Sequence, residues 1–175
     1  MSVGRLAGIC YLGTFLTGFA ALALGTGMVV ANAAATICYI GVTILFYRLF
    51  RPVNPVIAAV AAAFSAAGCT LSLLRGLNLV RPPVNELAIF GCYCILIGYL
   101  IYTSGLLPRT LGALLVAGGV SWLTFAWPPL AHALSPFNYV PGIFAEGLLT
   151  VWLLAFGATP PHRNARHSGM IRGAS

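Results

Sequence analysis

The chain reads as an all-α bundle of six transmembrane helices with both termini cytoplasmic, and three observations predict this. Of 175 residues, 60% are hydrophobic and only 6% are charged. A soluble domain carries about 25% charged residues, so too few charges are present here to build a water-facing surface. Apolar runs recur along the whole chain, each near the length of about 20 residues that crosses a bilayer, with Pro, Gly or Asn between them. Six spans then place Arg5, Arg48, Arg51, Arg109, Arg163, Arg166 and Arg172 inside and only Arg75 and Arg81 outside. That is a positive-inside pattern, and moving one span scrambles it.

The length suits one domain. Residues 1–158 are read as the six-helix domain and 159–175 as a basic, disordered cytoplasmic tail. The first helix is expected near 6–25. Its opening, MSVGRLAGICYLGTFLTGF, has a signal peptide's single Arg and apolar run, but no cleavage site with a polar sequel follows, so it is read as retained. Residues 6–50 are too long for one span, which requires a tight hairpin between Gly25 and Asn32. The second helix is expected near 33–50, where Arg48 and Arg51 mark its end and Pro52 and Pro55 stop one helix and start the next. The third, near 56–77, is rich in Ala and has Ser65 and Gly68 at its middle, a composition suited to packing against neighbouring helices. Asn85 is the expected N-cap of the fourth helix, near 86–104, and places Glu86 in the first turn, where the helix dipole favours an acid. The fifth is expected near 110–127, ended by Pro128-Pro129. The segment LAHALSPFNYV then connects to the sixth, near 141–157.

All nine basic residues are Arg, and they sit singly between apolar runs. The net charge of +7 therefore reports topology and not a nucleic-acid partner. Cys10, Cys38, Cys69, Cys92 and Cys94 all fall inside apolar runs, as small buried hydrophobes do. Cys38, Cys69, Cys92 and Cys94 fall at similar depth, so a disulfide among them stays open. The C-x-C of Cys92 and Cys94 is not a C-x-x-C redox or zinc motif. No G-x-S-x-G, phosphate-binding Gly loop, metal-ligand spacing or C-terminal prenylation motif is present. Neither metal nor cofactor is expected.

Glu146 is the anomaly. The chain has two acidic residues, and counting from Pro141 places this one within the outer half of the last span. A carboxyl group at such depth is costly unless it is neutral, paired or near water, which makes it a functional-site candidate. Glu86, His132, Arg75, Arg81, Trp127, Asn138 and Tyr139 fall toward the same side, which suggests an outward polar pocket. Glu146 is the candidate proton carrier or general acid, with Glu86 or His132 assisting. Arg75, Arg81, Trp122, Trp127, Asn138 and Tyr139 are candidate pocket residues. The structural alternative pairs Glu146 with Arg75, which would join the sixth helix to the third. For Glu86 the helix N-terminus is sufficient explanation, and for His132 an interfacial structural role. Trp127 and Tyr139 also suit an aromatic belt, and Tyr93, Tyr99 and Tyr102 suit packing or that belt. The basic tail and Arg81 are candidates for contact with anionic lipid.

Three stretches carry a family resemblance: RLAGICYLGTFLTG at 5–18, YTSGLLPRTLGALLVAGG at 102–119 and GIFAEGLLTVWLLAFG at 142–157. Their R-L-A-G-I opening, S-G-L-L-P-R before the fifth helix and E-x-x-L-x-x-W-L-L ending in Gly resemble a family of small bacterial multi-pass membrane proteins of unknown function. The resemblance implies a bacterial cytoplasmic (inner) membrane and a Glu in the last helix. It implies no activity.

Three classes of function remain. The first is an accessory, lipid-binding or hydrophobic-ligand-binding membrane protein, with membrane lipids, a lipophilic small molecule, another membrane protein or a second copy as partner. The second is a small intramembrane enzyme in which Glu146 is general acid toward a lipophilic substrate. The third is a small proton-coupled carrier.

Overall fold

Each apolar run folds as a helix whose ends follow from the local sequence. The computed structural model describes residues 2–24, 28–80 and 85–158. Arg81 and the basic tail lie outside the described residues. The elements are α1 (Val3–Leu24), α2 (Met28–Phe50), α3 (Pro55–Gly76), α4 (Glu86–Ser104), α5 (Arg109–Leu123), a short α6 (Pro128–Leu134) and α7 (Val140–Ala155), with 3-10 turns at Thr124–Ala126 and Phe137–Tyr139. Asn54 starts α3 by accepting the Ile57 amide at 3.0 Å, with Pro55 in the first turn where a missing N–H costs nothing. Asn85 caps α4 in the same way through the Leu87 amide at 3.0 Å. Gly105, at φ 68°, ends α4 in the left-handed conformation that glycine adopts without strain.

Six of the helices include a stretch long and apolar enough to cross a membrane: Val3–Ala20, Val29–Phe50, Pro55–Gly76, Glu86–Ser104, Arg109–Ala126 and Phe137–Ala155. The protein is thus a multi-pass helical bundle. Its outer surface is apolar, with Leu16, Ile37, Val120 and Val151 all exposed, which reverses the arrangement of a soluble protein and suits lipid. Two details differ from the sequence reading. The stretch LAHALSPFNYV is not a simple connector, because Pro128 initiates α6 and Phe137–Tyr139 forms a turn of 3-10 helix. Asn32 is not in the first hairpin but inside α2, where its amide donates to the Ser72 carbonyl of α3 at 3.4 Å.

The spans form a closed ring. α1 packs on α2, α2 on α3, α3 on α4, α4 on α5, α5 on α7, and α7 returns to α1. An even number of spans brings both ends of the domain to one face, where the Arg5 guanidinium donates to the Ala155 carbonyl at 3.4 Å. Arg48, Arg51 and Arg109 stand at helix ends on this terminal face, and Arg75, Glu86 and α6 on the opposite one. Side chains from all sides fill the ring: Tyr11, Tyr39, Phe46, Tyr93, Cys94, Ile97, Leu149 and Leu153 are buried there. The tightest seam is α4–α5. A Cβ at Gly98 would stand 2.7 Å from the Gly112 carbonyl oxygen, and one at Gly91 would stand 2.7 Å from that of Gly119. Both helices carry glycines seven residues apart, so one antiparallel seam of small residues brings the backbones together.

Candidate functional site

Several polar residues inside the ring occur at one depth. Glu146 is the central residue of the span Phe137–Ala155, because the 3-10 turn extends that span beyond Pro141. Tyr11, Tyr39 and Ser65 stand at the centres of their own spans, and Cys94 is next to the centre of its span. The ring therefore carries a polar layer at mid-depth, where every hydrogen-bonding group is costly unless partnered.

Glu146 is held by three helices. Gly142 lies one turn before it on the same face of α7. The Trp122 indole of α5 lies across this glycine, so closely that a Cβ there would fall 2.1 Å from the ring. The Trp122 Nε1–H then donates to Glu146 Oε1 at 3.2 Å. The Cys94 thiol of α4 donates to the same oxygen at 3.4 Å. Tyr139 packs edge-on against Trp122 and Phe125, with centroids 5.8 Å and 4.8 Å away, and so holds the indole from the opposite face.

Three tyrosines complete the layer. Their rings run Tyr11–Tyr39–Tyr93 across α1, α2 and α4, with centroids 5.7 Å and 5.8 Å apart. All three hydroxyls are buried within the layer that holds Glu146. A buried hydroxyl left unpaired costs about 1–3 kcal/mol.

The α1–α7 seam flanks the layer. Gly4, Gly8, Tyr11, Phe15 and Gly18 recur at three- and four-residue spacing and share one face of α1. At the terminal face the seam is closed, since a Cβ on Gly4 would lie 2.4 Å from the Ala158 nitrogen and one on Gly8 would lie 2.9 Å from the Leu154 nitrogen. Further along the same stripe, Gly18 has no neighbour within 4 Å. Gly147, on the stripe of α7 that includes Leu154 and Ala158, has none either. Close glycine contacts are thus confined to the terminal end of this seam, and Glu146, beside Gly147, is half-buried. Tyr11, Phe15 and Phe19 line the α1 wall as a ladder of stacked rings, and Phe144 is exposed on α7.

The residues singled out from sequence divide into two groups. Glu146 and Trp122 belong to the mid-depth layer, with Tyr139 behind Trp122. Arg75 does not pair with Glu146. Its Nη1 donates to Glu86 Oε2 at 2.7 Å, because the last turn of α3 and the first turn of α4 meet at the opposite face, half a span from Glu146. His132 is exposed on α6 and Trp127 is exposed at its start. Asn138 is buried as a staple: its side-chain amide donates to the Ala131 carbonyl at 3.3 Å and to Thr124 Oγ1 at 3.4 Å, while its main-chain carbonyl accepts from the Ser121 hydroxyl at 2.6 Å. Tyr93 lies in the layer, whereas Tyr99 and Tyr102 are exposed. All five cysteines are free thiols. Among the described residues no group of three or more His, Cys, Asp or Glu side chains is placed to hold a metal ion. Sequence reasoning missed Cys94 as a partner of Glu146, and Tyr11 and Tyr39 as members of its layer. The available signal was their position at the middle of their spans, on the stripe that also carries the packing glycines.

Residues 86–157 match a family described as Domain of unknown function (DUF4386). No curated protein and no solved structure matches the chain. The matched segment runs from α4 to the end of α7, so it includes Cys94, Trp122, Gly142 and Glu146. Tyr11 and Tyr39 lie outside it.

Proposed function

We infer that this protein binds a lipophilic small molecule carrying a polar group, taken up sideways from the bilayer through the α1–α7 cleft and held at the layer around Glu146. The Arg bias between the two faces and the family resemblance support a bacterial cytoplasmic membrane with both termini inside. The observation that supports the binding reading is the gathering at one depth of a bonded carboxyl group and three buried tyrosine hydroxyls beside an aromatic wall. A polar group entering there can hydrogen-bond to these side chains, while the rest of the molecule stays against Phe15, Phe19 and Phe144. Pockets of this composition, apolar with a few converging polar groups, are the usual form of a small-molecule site.

The test is to purify the full chain from membranes, extract the bound molecules with organic solvent and compare wild type, Glu146→Gln and Gly147→Phe by mass spectrometry. A species retained by wild type should fall about tenfold in Glu146→Gln, the equivalent of one charge-assisted hydrogen bond of about 1.5 kcal/mol. It should fall as far in Gly147→Phe, which fills the cleft and leaves the carboxyl group in place. Identical extracts from all three proteins would reject the reading.

A further inference from the structure

We propose that the terminal face carries a second, separate site: a groove between α2 and α3 that binds one anionic phospholipid, its phosphate on Arg48 and Arg51. A cavity of about 650 Å³ opens there, lined by Ile44, Tyr47, Arg48, Arg51, Pro52 and Pro55. The α2–α3 turn shapes it. The turn folds tightly on the end of α2, with the Val53 and Asn54 amides bonding the Phe50 carbonyl at 3.0 and 3.1 Å, and the Arg51 amide bonds the Tyr47 carbonyl at 2.8 Å, which keeps Arg51 on the helical path. Arg48 and Arg51 are three residues apart and so project to the same side.

Charge identifies the occupant. The chain has only two carboxylate side chains. Glu86 is bonded to Arg75 at the opposite face, and Glu146 lies at mid-depth in the ring. No acidic side chain is therefore available to Arg48 or Arg51. A helix C-terminus favours a cation, which accounts for Arg48 but not for a cavity that joins it to Arg51. The neighbouring surface then selects a lipid and not a free anion. Ile37, Ile40 and Ile44 are exposed along the same side of α2 and lead from mid-span to the two guanidinium groups. An apolar track ending in two cations at a membrane interface complements an acyl chain ending in a phosphate. Guanidinium groups match phosphate oxygens with paired N–H donors. The site lies on a different seam of the ring, at the terminal face, and does not depend on the reading of Glu146.

Native mass spectrometry of the full chain in detergent, with added phosphatidylglycerol, phosphatidylcholine or inorganic phosphate, tests this. Wild type should retain one phosphatidylglycerol under conditions that strip phosphatidylcholine. R48Q/R51Q should weaken that retention about tenfold, as expected when charge-assisted bonds to phosphate are lost. R109Q, which removes another Arg of the same face, should retain the lipid as wild type does. R51Q alone alters a residue beyond the end of α2, and it should weaken retention even if the double variant does not fold. Equal retention by wild type and R51Q, equal losses in R109Q and R48Q/R51Q, or displacement of the lipid by inorganic phosphate would each overturn the proposal.

Discussion

Two seams of the ring use glycine to different ends. Along α4–α5 the glycines occur in facing pairs, Gly98 with Gly112 and Gly91 with Gly119, and both helices are in backbone contact at each. Along α1–α7 the glycine stripe also runs the length of α1, but only Gly4 and Gly8 meet the partner, and Gly18 meets nothing. In lipid no hydrophobic force drives helices together, so close packing of small residues sets which contacts are strong. The first seam is a fixed wall and the second is closed only at one end. Glu146 stands between them, bonded to the fixed wall through Cys94 and Trp122 and facing the open end. The comparison teaches that glycine content does not itself mark a tight interface; the partner's backbone must fall opposite.

The largest effect should come from the fixed wall. Gly98→Val places side-chain atoms against the Gly112 backbone, which has nowhere to move, and should destabilise the protein by about 3 kcal/mol, the upper end for an overpacked core. The midpoint of an SDS unfolding titration measures this. A smaller loss should follow Gly142→Ala at the junction of wall and site. The new methyl group meets the Trp122 ring, so the indole must swing away and release Glu146. About 1–2 kcal/mol should be lost, and tryptophan emission should shift when Trp127 and Trp152 are replaced by Phe so that Trp122 reports alone. An unchanged spectrum would mean that the backbone yields instead of the ring. The smallest change should have the opposite sign. Gly147→Ala enters open space on a helix and should stabilise by about 0.5–1 kcal/mol, the usual gain for Ala over Gly in a helix. A loss there would show that the cleft is occupied or closed, and the contrast between the seams would fail.

The sequence makes the bundle legible because each span announces itself independently. Apolar length, Asn54 and Asn85 at helix starts and the prolines beside them are local features, and local rules suffice. The partners of Glu146 were not legible for two physical reasons. Counting from Pro141 sets Glu146 too shallow, because the Phe137–Tyr139 turn lengthens the span and moves the carboxyl group to the centre. Charge alone makes Arg75 the natural partner, but Arg75 is at a helix end and Glu86 is its neighbour there. Neutral donors cannot be assigned without helix rotation, which depends on the whole ring. Cys94 and Trp122 look like packing residues until α4, α5 and α7 are set side by side.

The cyclic order of the spans has a consequence for synthesis. As the chain emerges, each span up to α5 finds its ring neighbour in the span just made, at little cost in loop closure. Only α1 with α7 joins the two ends of the domain, so this contact waits until translation of the domain is nearly complete. Until then Tyr11, Tyr39 and Cys94 stand in the bilayer without their acid, and the incomplete ring is open on one side. The last seam to form is also the one left partly unpacked: the entrance to the polar layer is the place where the ring is shut.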